Sequence, residues 1–304
     1  MNKIFIPPIK CQGIKTKIVP LILSHIADLK YTRWLEPFMG SGVVGLNALS
    51  KNSIFSDLNP HIINFYLALK DKSITPEIAK HFLEQEGKKL EISGEDHYYH
   101  IRERFNQLAS PLDFLFLSRA CFNGMIRFNS KGKFNVPFCK KPNRFARAYI
   151  TKIVNQIIHF QKAISLNCWN FQCQDFGKTI EQANPTDLIY CDPPYFGRHV
   201  DYFDSWSKED EYRLFMALSK TKANFILSTW HSNQYRVNDS LKTIWAKFYL
   251  VTQQHFYHVG AKEQNRAPML EALIMNFNPE QTLKRVNNYQ LSSPQLFSEI
   301  AITL

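Results

Sequence analysis

An unbroken apolar run, Leu188-Ile189-Tyr190-Cys191, is followed by Asp192 and then by two successive prolines, Pro193 and Pro194. A proline fixes φ and has no main-chain N–H to donate, so a strand formed by the run has to end here. The run itself reads as a buried strand. Asp192-Pro193-Pro194-Tyr195 therefore lies where a strand ends and a loop opens. In open α/β sheets that is where ligands bind.

The tetrapeptide has a definite chemistry. An exocyclic amine on a nucleobase is a poor nucleophile because its lone pair is delocalised into the ring. Hydrogen bonds accepted from both of its N–H groups help the nitrogen pyramidalise towards a sulfonium methyl donor. Asp192 offers a carboxylate as one acceptor, and the Pro193 carbonyl offers another on a segment stiffened by Pro193 and Pro194. Tyr195 offers a flat face on which a base can stack. A Pro-rich turn with Tyr195 in local packing is the competing reading.

At 304 residues the chain can bury a full core in one large domain or two. No run of 18 apolar residues occurs, so no membrane span is expected. The first residues lack the apolar region of a signal peptide. The six cysteines form no Cys-x-x-Cys pair, and Cys168 and Cys173 have no nearby His. They read as reduced thiols of a cytoplasmic protein, with neither a metal site nor a disulfide frame.

Charge is more informative. The net charge is +11, and from Phe114 to Gln174 there is no Asp or Glu, while Arg119, Arg127, Lys131, Lys133, Lys140, Lys141, Arg144, Arg147, Lys152 and Lys162 fall inside that span. A second basic segment is the N-terminus, where Lys3, Lys10, Lys15, Lys17, Lys30 and Arg33 face Asp28 alone. Such a stretch reads as a surface for a polyanion, with nucleic acid the first choice and a ribosome- or membrane-facing surface the alternative. Phe, Ile, Tyr and Leu run through it, so it is not a disordered tail.

Helical spacing of Ile14, Ile18, Leu21, Ile22 and Ile26 predicts a helix over 14–29. Strands are expected at 34–38 and 53–57, with a glycine loop and a short helix between them and a helix opening at Asn59-Pro60. This β–loop–α–β–α order predicts a doubly wound, Rossmann-like sheet. Residues 76–92 and 100–108 read as charged helices, and 122–138 as a loop or hairpin around Lys131-Gly132. A helix at 149–162 and strands at 169–174, 187–191, 224–228, 255–259 and 272–276 bring the sheet to about seven strands. The expected organisation is a catalytic domain formed by 1–69 and 150–304, with 70–149 inserted as a mainly helical target-recognition lobe.

Gly40-x-Gly42-x-x-Gly45 matches the dinucleotide fingerprint and by itself favours a nicotinamide or flavin enzyme. Glu36, just before the loop, argues otherwise. Its carboxylate would oppose a pyrophosphate but suits the ammonium and sulfonium of S-adenosylmethionine. Asp57, at the end of the next strand, is placed to accept from ribose hydroxyls, and Asp175 from an adenine amino group. A helix N-cap is the alternative for Asp57, and a strand-end turn for Asp175.

These residues resemble the Dam-like, D12 class of adenine-N6 DNA methyltransferases. The likeness runs through residues 8–15, Glu36-Pro37-Phe38-Met39-Gly40-Ser41-Gly42, Asp57-Leu58-Asn59-Pro60, the hairpin from Asn123 to Phe138 and Asp192-Pro193-Pro194-Tyr195. The order of cofactor loop, recognition lobe and catalytic tetrapeptide is that of the α-group. Residues 138–145 and 197–203 are most similar to the EcoRV-type modification methylases, which implies the site GATATC, whereas the wider family more often reads GATC.

The resemblance implies roles. Lys10, Lys15, Glu36, Phe38, Gly40, Gly42, Asp57, Asp175 and Asp192 would hold the cofactor. Arg119, Phe122, Asn123, Met125, Arg127, Asn129, Lys133, Asn135, Pro137, Lys140 and Lys141 would meet DNA. Arg127 would read a guanine, and Phe122 or Asn123 would fill the space left by an extruded base. The chain departs from the family at Cys11-Gln12-Gly13-Ile14-Lys15, where Trp-Ala-Gly-Gly-Lys is frequent, and at Cys139, where Gly is common. The implied activity is site-specific methylation of adenine N6 in double-stranded DNA from S-adenosylmethionine, within a restriction-modification system and with no obligate protein partner. Three rivals make different predictions. Cytosine N4 presents the same kind of amine. A Rossmann oxidoreductase explains the glycines alone. A non-catalytic DNA-binding module explains the charge alone.

Overall fold

The computed structural model describes residues 4–195, 206–256, 268–281 and 290–292. In chain order its elements are α1 (Val19–Ile26), β1 (Trp34–Glu36), α2 (Val43–Ala48), β2 (Asn52–Asp57), α3 (Pro60–Lys70), α4 (Pro76–Ser93), α5 (Glu95–Leu108), α6 (Pro111–Ala120), α7 (Arg147–Leu166), β3 (Cys168–Cys173), α8 (Phe176–Glu181), β4 (Leu188–Cys191), α9 (Lys208–Lys220), β5 (Asn224–Ser232), α10 (Ser240–Thr243), β6 (Tyr249–Phe256), β7 (Pro268–Met275) and β8 (Gln290–Ser292). The chain is of the mixed α/β, Rossmann-like class, with parallel strands joined through helices.

The chain divides into two compact units. The first comprises 1–16, 39–174 and 201–205, and the second 17–38, 175–200 and 206–304. Helices α4, α5 and α6 group with β2 and β3 in the first unit.

In the second unit β4 lies between β1 and β5, parallel to both. The sheet continues antiparallel through β7, β6 and β8. Every residue of β4 is buried, as a central parallel strand covered on both faces requires. Trp34 of β1 stacks on Tyr190 of β4, with centroids 5.7 Å apart. Arg33 pairs with Asp187 at 2.6 Å and fixes the starts of both strands. Helix α9 opens with a capping box, Ser207 and Asp210 each bonding the other's main chain, which satisfies two otherwise orphaned N–H groups.

In the first unit β2 pairs parallel with β3 from Asn52 opposite Cys168 to Asp57 opposite Cys173. Asn59 caps α3 through the His61 N–H, with Pro60 in the first turn. Thr75 and Pro76 start α4 in the same way. Arg104 of α5 ties α6 through Asp113 at 2.6 Å and α4 through Glu86 at 3.4 Å.

The expected helix over 14–29 forms only from Val19 to Ile26. Pro20 fits the first turn of a helix and not its interior, so the helix begins beside it. Strand β6 begins at Tyr249, earlier than expected, and the expected residues 257–259 lie outside the described residues. Among the described residues no helix is long and apolar enough to cross a membrane.

Candidate active site

Asp192 follows the last residue of β4, and Glu36 is the last residue of the neighbouring β1. The pairing of Leu35 with Ile189 sets Glu36 level with Tyr190. Glu36 is 2% exposed and accepts from the Trp34 indole N–H at 2.8 Å. The Tyr190 hydroxyl bonds Ser228 Oγ at 2.8 Å. Burial first, and then the charges of Asp192, Glu36 and Glu271, push the Tyr190 phenol well above its usual range. Burial, Asp192 and Glu36 do the same to the Cys191 thiol. Asp192 and Glu36 thus lie at the carboxyl ends of two neighbouring parallel strands. Tyr195 donates its hydroxyl to Glu271 Oε2 at 2.6 Å.

Phe38, Phe176 and Trp206 form an aromatic cluster in the same unit. Phe38 stacks on Phe176 at 5.2 Å and meets Trp206 edge-on at 5.6 Å. Glu211, 4% exposed, accepts from the indole N–H groups of both Trp206 and Trp245 at 2.7 Å. Asp175 caps α8 through the Gly177 N–H at 2.9 Å and pairs with Arg213 at 3.1 Å. The carboxylate expected at an adenine amino group is therefore engaged as a helix cap and ion-pair partner, and Arg213 also lies over the Phe176 ring at 4.9 Å.

The glycine loop lies in the first unit. Gly40 and Gly42 have φ of +49° and +69°, a region that costs other residues roughly 1–2 kcal/mol. The Gly40 N–H reaches Asp57 Oδ2 at 2.8 Å, and the Asn59 N–H reaches Oδ1 at 2.9 Å. Asp57 thus closes the turn, while Asn59 caps the helix. Burial raises the Asp57 carboxyl above its usual range, and the two main-chain bonds oppose that. Each oxygen has a second lone pair, so acceptance from a further hydroxyl is retained. Lys15 is 7% exposed and donates to the Gly13 carbonyl at 3.0 Å. Burial and the nearby Arg144 lower the Lys10 ammonium.

The segment 121–138 is a hairpin held by isolated bridges, Cys121 with Phe138 and Phe128 with Phe134. Phe128, Phe134, Val136 and Phe138 are buried. Asn106 bonds the Phe134 main chain at both N and O, and the Tyr98 hydroxyl donates to the Val136 carbonyl at 2.8 Å. At the tip Asn129 Oδ1 accepts the N–H groups of Lys131 and Lys133. Phe122, Asn123, Asn129, Lys133, Pro137, Lys140 and Lys141 are exposed, and Met125, Arg127 and Asn135 are half-buried. Arg127 Nε donates to Asn135 Oδ1 at 2.8 Å. Arg119, placed by resemblance among the DNA contacts, donates instead to the carbonyls of Pro7 and Pro8 and to Gln156.

The sequence reading did not single out Glu271, Trp206, Glu211 or Arg213. A carboxylate inside the apolar run Met269-Leu270-Glu271-Ala272-Leu273-Ile274 was the available signal for Glu271.

A family model for the D12 class of N6 adenine-specific DNA methyltransferases matches residues 12–263. The chain belongs to that family. It is 34% identical over 194 residues to the DNA adenine methylase of Vibrio cholerae, a match covering 62% of this chain and 64% of that protein. It is 28% identical over 283 residues to the Type II methyltransferase M.FokI of Planomicrobium okeanokoites, covering 89% of this chain and 42% of that one. The DNA N-6-adenine-methyltransferase of Escherichia phage P1 is 32% identical over 191 residues, covering 61% and 23%. The chain spans less than two-thirds of the length of these relatives.

Proposed function

We propose that this chain is a site-specific DNA methyltransferase acting on adenine N6 in double-stranded DNA, with S-adenosylmethionine as donor. The observation that carries the reading is Asp192-Pro193-Pro194-Tyr195 at the end of buried β4, with Glu36 ending the neighbouring β1 and Glu271 accepting from the Tyr195 hydroxyl. Three carboxylates suit a cationic donor and oppose a pyrophosphate, which favours this reading over a nicotinamide enzyme. When bound, S-adenosylmethionine supplies an electrophilic methyl group on a sulfonium.

The chain's own residues do the rest. Lys133, Lys140 and Lys141 draw the duplex by its phosphates. The hairpin reads base edges, and Phe122 or Asn123 fills the gap when the adenine leaves the stack, which costs a few kcal/mol. Tyr195 carries the flipped base on its face while Glu271 holds its hydroxyl. Asp192 and the Pro193 carbonyl accept hydrogen bonds from the two N6–H groups and sharpen the amine as a nucleophile. Asp57, Glu36, Phe38, Lys10, Lys15 and the Gly40–Gly42 turn are the residues that would hold the donor. Positioning and fixed charge carry the catalysis.

The finer reading is a modification enzyme of a restriction-modification system with a GATATC-like site, GATC being the second choice, in the cytoplasm. The match to a Type II methyltransferase supports the first part of it. Methylation of mixed genomic DNA followed by modification-aware sequencing gives base and site together. N6-methyladenine in one short motif is expected. N4-methylcytosine, or no modification at all, would defeat the reading.

A further inference from the structure

Arg119 is the most internally committed cation in the basic stretch. Its Nε donates to the Pro8 carbonyl at 2.7 Å, and its Nη2 donates to the Pro8 carbonyl, to the Pro7 carbonyl at 3.4 Å and to Gln156 Oε1 at 2.6 Å. Its own carbonyl accepts from Arg144 Nε at 2.7 Å. Burial, and next Arg144, bring its guanidinium down to about 10. Prolines lack a main-chain donor, so Pro7 and Pro8 can be tied only through their carbonyls, and a guanidinium fork meets that need.

The segment it grips is tied at both ends. Phe5 exchanges two hydrogen bonds with the Asn47 side chain of α2, at 2.8 and 2.9 Å. Ile9 is 1% exposed. The Lys10 stem packs against Gly124 so closely that a Cβ there would lie 2.5 Å from Lys10 Cδ. Gly124 has φ +68° and follows Asn123 at φ +53°. That left-handed pair sits next to the exposed Phe122. Residues 5–10 are thus a strap, laid from α2 to the back of the turn that presents Phe122 and Asn123.

We infer that Arg119 is a positioning residue that clamps this strap against the turn at 122–125 and so governs discrimination between DNA sites rather than attraction to phosphates. The inference rests on the reading of the hairpin as the DNA-reading element. A surface arginine on a phosphate would act on every sequence alike and would add to the salt dependence. A clamp on the turn acts on the ratio between correct and incorrect sites.

The test uses the whole chain and three readouts. Arg119→Lys keeps the charge and loses the fork. It is expected to lower the ratio of kcat/KM on the cognate duplex to that on duplexes with one changed base pair by roughly tenfold, the order of one base contact. The slope of log K against log salt should stay at the wild-type value, and hydrogen exchange at Ile9, Lys10 and the amides of 123–125 should speed up. A slope reduced by about one unit with an unchanged ratio would mark a phosphate contact and overturn the inference. Wild-type exchange at both segments would overturn it as well. Gly124→Ala, which displaces the Lys10 stem without touching Arg119, should reproduce the loss of ratio, and an unchanged ratio there would count against the clamp. If the unmutated chain discriminates among no duplexes, the reading of the hairpin fails instead. The exchange measurement still decides whether Arg119 holds the strap.

Discussion

Tyr195 donates its hydroxyl to Glu271 Oε2 at 2.6 Å, from the loop after β4 to a carboxylate on β7 that is 2% exposed. One end of the ring is therefore fixed. Tyr195→Phe keeps the face and loses the tether, so methyl transfer should fall by roughly ten- to a hundredfold, the range of one hydrogen bond to a charged group. Tyr195→Ala should lose a further 1–3 kcal/mol or so of stacking. Single-turnover rates on one duplex compare the two. Equal losses would mean that the ring carries no base.

Arg127→Ala should weaken binding to the cognate site by about 1–3 kcal/mol and relax preference at one guanine. Because Arg127 Nε is held by Asn135, Asn135→Ala should relax the same position to a smaller extent. Lys140→Ala and Lys141→Ala should weaken all sequences alike and flatten the salt dependence. A panel of substrates with single base-pair changes separates these outcomes. Equal loss on every substrate for Arg127→Ala would make it a structural arginine of the hairpin.

His25 on α1 is fully buried, and among the described residues neither ring nitrogen has a hydrogen-bond partner. Burial lowers its pKa from 6.5 to about 4. The unfolded chain therefore takes up a proton as pH falls through 6.5, while the folded chain stays neutral until about 4. Stability should decline across that window by roughly 3 kcal/mol. His25→Phe should flatten the decline in urea midpoint between those pH values. An unchanged profile would assign the acid sensitivity elsewhere.

Gly42 combines a φ of +69° with a Cβ position 2.8 Å from Met39 Cε. The methionine end can move, so the backbone sets the cost of Gly42→Ala at about 1–2 kcal/mol. Thermal unfolding measures it, and calorimetry should show weaker S-adenosylhomocysteine binding in the same variant. Undiminished binding would place the loop outside the donor site.

Much of this was legible because local chemistry and tertiary role coincide. The apolar run before Asp192 reads as a buried strand, and Asn59-Pro60 reads as the start of a helix. The segment 122–138 reads as a loop or hairpin around Lys131-Gly132 because it is rich in Gly, Asn, Phe and Lys. Helix α6 was missed because it is buried on nearly every side, which erases the amphipathic period. The positions of Arg119 and Asp175 were also illegible. A guanidinium can donate to DNA or to the chain's own carbonyls, and a carboxylate can accept from a ligand or from a main-chain N–H, and only the fold decides which partner comes near. Glu271 reaches Tyr195 from 76 residues away, a separation no local pattern encodes.

The central claim is that Asp192 acts on a flipped base and not on the backbone of the duplex. The most direct measurement is transfer of labelled methyl from S-adenosylmethionine to DNA by Asp192→Ala, with DNA affinity measured on the same preparation. The expected result is loss of transfer to background with affinity within a few-fold of wild type, against N6-methyladenine formed by the unmutated chain. Near-normal turnover in Asp192→Ala would contradict the account.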